Sequence, residues 1–100
     1  LEVEFKNKKL QKCYEIHSKG VREFGDVVAS KYILRINTIM AASNIDELNR
    51  MPVIRCHPLH GNREGQYAIN LTGQMRLIFT LDGDKLQIAK IEEVSKHYDG

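Results

Sequence analysis

The sequence is short of several things that would each announce a different kind of protein. It has two cysteines, Cys13 and Cys56, far apart and in no CxxC pair. Neither the disulfide framework of a secreted mini-protein nor a redox motif is therefore present, and both thiols are expected to be reduced and packed. His57 and His60 lack a second well-spaced ligand pair, which argues against zinc, and no metal or other cofactor is expected. No stretch approaches the roughly 20 apolar residues of a membrane-spanning helix. The opening LEVEFKNKKL lacks the apolar core of a signal peptide, so a cytoplasmic location without membrane partners is expected. Long Ser, Gly or Pro tracts and internal repeats are absent, which excludes a disordered or fibrous chain. Charge of one sign is not in large excess either. The net of +2 permits a nucleic-acid partner without demanding one.

What is present is enough for one globular domain spanning residues 1–100, with 42% hydrophobic and 28% charged residues. Glu2 to Phe5 alternates, placing Val3 and Phe5 on one face of a short strand. From Lys8 the period becomes helical through Leu10, Cys13, Tyr14 and His17, with Gly20 as the expected stop. Asp26 is the expected cap of a longer core helix whose stripe is Ala29, Ile33, Ile36 and Met40, flanked by Tyr32 and Ile39. Ser43 to Asn49 allows at most one helical turn before Pro52. Strands follow at Val53 to Pro58, around Tyr67 to Leu71, around Met75 to Leu81 and at Leu86 to Val94, with hairpin turns at Thr72-Gly73 and Asp82-Gly83. The expected fold is α+β: a short N-terminal strand, two helices, then an antiparallel meander whose one face the helices cover. Met75, Leu77 and Phe79 would face the helices, leaving Arg76, Ile78 and Thr80 on the open face.

The chemistry concentrates in one stretch, CHPLHGNREGQYAINLTGQMRLIF, from Cys56 to Phe79. An arginine at a strand centre on an open face is either a phosphate receptor, through its planar two-pronged fork, or the partner of a structural carboxylate such as Glu64, Glu92 or Glu93. Arg63, between Gly61 and Gly65, is a loop cation that an anion can approach. Histidine titrates near neutrality, so His57 and His60 beside arginines suggest proton transfer next to developing negative charge. RNA cleavage needs that combination: a base for the 2'-hydroxyl, an acid for the leaving 5'-oxygen, and cations for the phosphorane. Tyr67 and Tyr98 fit base stacking, and Tyr67 fits sheet packing equally well. His17, on the helical stripe, reads as structural. The first third of the chain is basic, with Lys6, Lys8, Lys9, Lys12, Lys19 and Arg22.

The runs His57-Pro58-Leu59-His60-Gly61, Asn62-Arg63-Glu64-Gly65-Gln66-Tyr67 and Gly73-Gln74-Met75-Arg76-Leu77-Ile78-Phe79 together closely resemble the HigB-type killer proteins of bacterial toxin–antitoxin modules, within the RelE and ParE superfamily. The resemblance covers about Arg55 to Tyr98 best. It implies a small RelE-like α+β toxin domain and ribosome-dependent, metal-independent endoribonuclease activity on translated messenger RNA. The implied partners are the ribosome and a cognate antitoxin carrying a helix-turn-helix DNA-binding domain. Position by position, it implies catalytic roles for His57 and for Arg76 as the phosphate-binding arginine, with His97 and Tyr98 as counterparts of the family's Asp-Tyr-His ending in swapped order. RNA-binding roles are implied for His60, where related chains often have lysine, and for Arg63, with Tyr67 the stacking candidate named above. The alternative within the superfamily is a ParE-like, non-enzymatic inhibitor of DNA gyrase, which would need no histidine–arginine constellation.

Overall fold

The strand-and-helix pattern folds as expected into an α+β structure; the computed structural model describes residues 1–96. Strand β1 (Glu2–Phe5) leads into helices α1 (Lys8–Glu15), α2 (His17–Phe24), α3 (Asp26–Ala41) and the single turn α4 (Ile45–Asn49). Then come β2 (His57–Pro58), β3 (Gln66–Asn70), β4 (Met75–Asp82) and β5 (Ile88–Lys96). They form a five-stranded sheet in the order β1-β5-β4-β3-β2. β2 to β5 make the antiparallel meander. β1 joins it in parallel, pairing Val3 with Ala89 and Phe5 with Ile91. The sheet is therefore mixed rather than purely antiparallel, a direction of pairing that the alternation of four residues cannot reveal.

The helices depart from the expected boundaries for packing reasons. Asn7 caps α1, its Oδ1 accepting from the Leu10 N–H at 2.9 Å. The break falls at Ile16, whose backbone is extended (φ −125°), and a second helix begins at once. Gly20 is thus not a stop but lies buried inside α2. A Cβ there would sit 3.0 Å from the Cys13 carbonyl oxygen and 3.3 Å from the Ala29 Cβ, so glycine is what lets α1, α2 and α3 approach this closely. His17 is exposed, its ring hydrogen-bonded to Ser30 at 3.3 Å, rather than on the buried stripe. Gly25, at φ 85°, is the N-cap of α3 and Asp26 its first residue, with no side-chain cap bond. That conformation is open to glycine without the penalty a side chain would meet.

On α3 the buried set is Ala29, Tyr32, Arg35, Ile36 and Ile39; Ile33 is half-buried and Met40 is 47% exposed. The stripe is rotated from the expected one because the large Tyr32 goes in. Its hydroxyl donates to the Leu10 carbonyl at 2.7 Å, and its ring lies 5.1 Å from that of Phe24. The short α4 is capped by Asn44, which accepts from the Glu47 N–H at 2.9 Å.

Of the strand expected over Val53 to Pro58, only His57–Pro58 pairs regularly. Ile54 and Cys56 still point inward and Val53 and Arg55 outward, but a turn over residues 52–55, with Arg55 at φ 50°, takes the backbone out of the ladder. At the other end of the sheet, Asp82 Oδ1 accepts from the Gly83 N–H at 2.8 Å. The connection then continues through Leu86 at φ 52°, so β5 starts at Ile88 rather than Leu86.

Alternation along β4 sorts the two faces. Leu77 and Phe79 join Ile36, Ile39, Leu48, Ile69 and Ile91 in the main core beneath the helices. Each fully buried side chain of this size contributes about 1.5–3 kcal/mol. Ile78 faces the other way, as expected, but is not accessible: Leu59 from the loop after β2 covers it, with Ala68, in a small second cluster. The face away from the helices is thus divided by an apolar ridge, with Arg76 on one side of it.

Candidate active site

On that face β2, β3 and the start of β4 enclose a cleft of about 440 Å³ lined by Val53, Arg55, His57, Ala68, Asn70 and Arg76, with Gly73 at its rim. Register explains the membership. His57 lies opposite Ala68, and Asn70 lies opposite Arg76, so His57 and Arg76 stand on strands separated by one intervening strand, about 4.8 Å per step. Ala68, nearly fully buried, forms a floor too small to keep the two longer side chains out of the same space.

His57 is exposed, and its Nδ1 lies 2.7 Å from the Arg55 carbonyl oxygen. A carbonyl only accepts, so Nδ1 carries the proton, and in the neutral ring Nε2 keeps its lone pair. Arg55 makes this contact from the left-handed region, which costs a non-glycine residue about 1–2 kcal/mol. The same turn puts the Arg55 side chain on the cleft wall.

A buried cation supports the arrangement from below. With His57 opposite Ala68, a regular ladder would set Arg55 opposite Asn70 and exchange both backbone hydrogen bonds. Instead the Asn70 N–H donates to the Ile54 carbonyl at 2.8 Å. The Asn70 carbonyl accepts from Arg35 Nε at 3.0 Å, reaching up from α3 with only 8% of its surface exposed. Arg35 thus occupies the acceptor that the turn leaves, and an unsatisfied buried carbonyl is expensive. Reading the sequence missed Arg35, Arg55 and Asn70. A signal for Arg35 was available: it is the one charge falling among Tyr32, Ile36 and Ile39.

His60, Arg63 and Tyr67 do not line this cleft. His60 is exposed just ahead of the 3₁₀ turn Gly61–Arg63. Arg63 is held by Gln66 Oε1 at 2.9 Å and Glu93 Oε2 at 3.2 Å. Tyr67 lies on the helix-covered face, stacked on Phe79 with ring centroids 5.6 Å apart and 20° between planes; this is the sheet-packing alternative. His97 and Tyr98 lie outside the described residues. Cys56 is buried, and burial pushes its thiol up to about 12, so it is protonated at neutral pH and no nucleophile. Among the described residues no three His, Cys, Asp or Glu side chains are grouped to hold a metal.

The model of the RelE-like toxins of the HigB type II toxin–antitoxin system matches residues 3–92. The chain belongs to this family of HigB-like toxins. It is 36% identical to the endoribonuclease HigB of Proteus vulgaris, over 80% of this chain and 85% of the relative. Solved structures share the fold at lower identity. A chain of the YoeB–YefM complex from Staphylococcus aureus superposes with a TM-score of 0.64 at 17% identity, covering 98% of both chains. YafQ from E. coli, as its H87Q mutant, does so with a TM-score of 0.59 at 19% identity, covering 95% of this chain and 91% of YafQ.

In this HigB-like toxin the cleft brings together a ring nitrogen able to take a proton and two guanidinium groups that do not lose theirs. Such a set can deprotonate a hydroxyl and hold the anion that forms when it attacks phosphorus. Among the described residues no helix is long and apolar enough to cross a membrane.

Proposed function

We propose that this toxin is an endoribonuclease that cuts translated messenger RNA on the ribosome without a metal ion, using His57 as base and Arg76 as the fixed cation. The observation that carries the reading is His57 Nδ1 committed to the Arg55 carbonyl in the same cleft as Arg76. The family relationship supports RNA as substrate, since the relative from Proteus vulgaris is itself an endoribonuclease by name. His57 Nε2 takes the proton of a 2'-hydroxyl, and the oxygen adds to the adjacent phosphorus. Arg76, with Arg55 beside it, stabilises the added charge of the phosphorane, and the 5'-oxygen leaves with a proton. His97 and Tyr98 are the candidates to supply that proton. One histidine and two arginines are sparse equipment, which is why the ribosome is assigned the task of bending and presenting the RNA. His60 and Arg63 are proposed to steer the flanking backbone, and Tyr67 is proposed only as support for the sheet. The protein acts in the cytoplasm as one domain, held in check by an antitoxin with a helix-turn-helix DNA-binding domain.

Primer-extension mapping of transcripts after induction tests this. Cuts inside codons that vanish when translation of the message is blocked are expected, with naked RNA cut poorly by the purified protein. Intact transcripts alongside cleaved DNA–gyrase complexes would overturn it.

A further inference from the structure

The cleft holds a polar side chain that the reaction above leaves unused. Asn70 lines it, half-buried, directly across the β3–β4 ladder from Arg76. Side chains facing each other in such a pair stand about 4.5–5.5 Å apart at the Cβ atoms. Ala68, two residues earlier and on the same face, is opposite His57, so Asn70 stands on the strand between those that carry His57 and Arg76. Its backbone is pinned from both sides: the N–H donates to the Ile54 carbonyl at 2.8 Å, and the carbonyl accepts from the buried Arg35 at 3.0 Å. The side chain, by contrast, makes no hydrogen bond to any described residue. An amide with two N–H donors is thus held on a rigid strand with its bonding capacity open to whatever enters the cleft.

We infer that Asn70 is a further catalytic residue, whose side-chain N–H donates to a non-bridging oxygen of the scissile phosphate and does so more strongly as the phosphorane forms. The inference rests on the reading that His57 and Arg76 cut RNA in this cleft. A donor lowers a barrier most when it is aimed before the charge develops, since nothing then has to reorganise. The two backbone bonds of Asn70 supply that aim. A guanidinium fork engages the phosphate oxygens from β4, and a donor on the adjoining strand meets them from another side. An amide also adds its bond without a third positive charge, which would hold the His57 ring less basic than a proton acceptor needs. Reading a base is the competing task for an asparagine. Bases splayed out of single-stranded RNA are held by stacking on a ring as well as by their edges, yet among the described residues no aromatic side chain lines the cleft. Tyr67, three residues before Asn70, is stacked on Phe79 on the other face.

The probe is a message with a single phosphorothioate at the cut site, one diastereomer at a time, on programmed ribosomes under single-turnover conditions. Sulfur accepts hydrogen bonds poorly, so wild type should cut one diastereomer more slowly because the Asn70 bond is weakened there. Asn70→Ala is expected to lower the rate constant on the all-oxygen message on the order of 10²-fold, with half-saturation little changed, and to shrink the slowing at that diastereomer. Asn70→Thr suits a strand and keeps a shorter donor, so it should recover part of both; it also carries the test if Asn70→Ala fails a thermal melt. Asn70→Asp keeps the shape but replaces the donor by an acceptor, and should be slower than Asn70→Ala. A folded Asn70→Ala protein within about 3-fold of wild type, far from the loss of one such donor, would overturn the proposal. So would a slowed variant whose sulfur effects match those of wild type, the mark of a packing role. A shift in which codons are cut, with the rate at the best codon kept, would overturn it in favour of base reading. Wild-type protein that leaves the all-oxygen message whole would instead overturn the nuclease reading itself, and the inference with it.

Discussion

The two cationic regions of this toxin carry charge of the same sign on very different supports. In the groove between α1 and α2 the lysines stand on the outsides of both helices, exposed and on flexible stems. In the cleft Arg76 is half-buried on a central strand, Arg55 extends an exposed side chain from a backbone turn, and the buried Arg35 ties α3 to the end of β3. Exposed, mobile charges attract an anion over a distance and are screened by salt. Charges whose positions are set before the reaction stabilise a transition state without reorganisation. The contrast teaches that the support of a charge, not the count of charges, distinguishes these two regions.

The largest effect that would break this division is expected from His57→Ala. If the ring nitrogen is the base, single-turnover cleavage of programmed ribosomes should fall by about 10² to 10⁴ with the thermal melt unchanged, whereas a loss under 10-fold would remove His57 from the chemistry. Arg76→Ala should cost about 2.7–4 kcal/mol of transition-state stabilisation, the scale of one lost charge-stabilising donor, and abolish toxicity in a growth assay. Arg76→Lys should recover only part, because an ammonium lacks the bidentate fork. An Arg76→Ala protein that is unfolded, or still fully toxic, would show this arginine to be structural.

Arg35 sharpens the comparison, since it bears on the cleft without lining it. Arg35→Met keeps the stem but orphans the Asn70 carbonyl, and about 1–3 kcal/mol of stability should be lost in denaturant unfolding. Cleavage should weaken mainly through kcat, as the β2 turn shifts against Arg76; a variant with lower stability but unaltered kcat would make Arg35 a packing residue only. The smallest effect concerns Cys56. Burial holds its folded pKa at about 12, above the ordinary thiol value of 9.0, so its contribution to stability is complete below about pH 9 and is lost as pH rises towards 12. Melting temperature should therefore fall across that window. Cys56→Ala should lower the melt at pH 7 yet flatten the alkaline decline, and an unflattened decline would assign it to other groups such as Tyr32, whose hydroxyl burial also pushes up.

Much of the site was legible because it rests on local rules. Period-2 alternation along β4 put Arg76 on the face opposite to Leu77 and Phe79, and the family resemblance singled out His57, while their meeting in one cleft follows from the register of β2, β3 and β4. Legibility stopped where a side chain's setting depends on a distant element. Tyr67 has the chemistry of a base-stacking residue, yet its place in β3 turns it to Phe79. Ile78 was correctly sent to the open face, but that Leu59 covers it follows from how a loop folds back. Arg63, read as a loop cation, is ion-paired with Glu93 on β5, a partner 30 residues away.

By itself the sequence determined the α+β order, the antiparallel meander, the inward and outward faces of its strands and the basic character of the first two helices. These follow from periodicity and composition, which act between neighbours in the chain. Only the tertiary structure decided the parallel pairing of β1, the burial of Gly20 between three helices, the turn that aims the Arg55 carbonyl at His57, and the recruitment of Arg35 to the carbonyl of Asn70. All but the Arg55–His57 contact, which is local, join separate elements of the chain, where the deciding term is the close fit of packed surfaces and the need to satisfy buried polar groups.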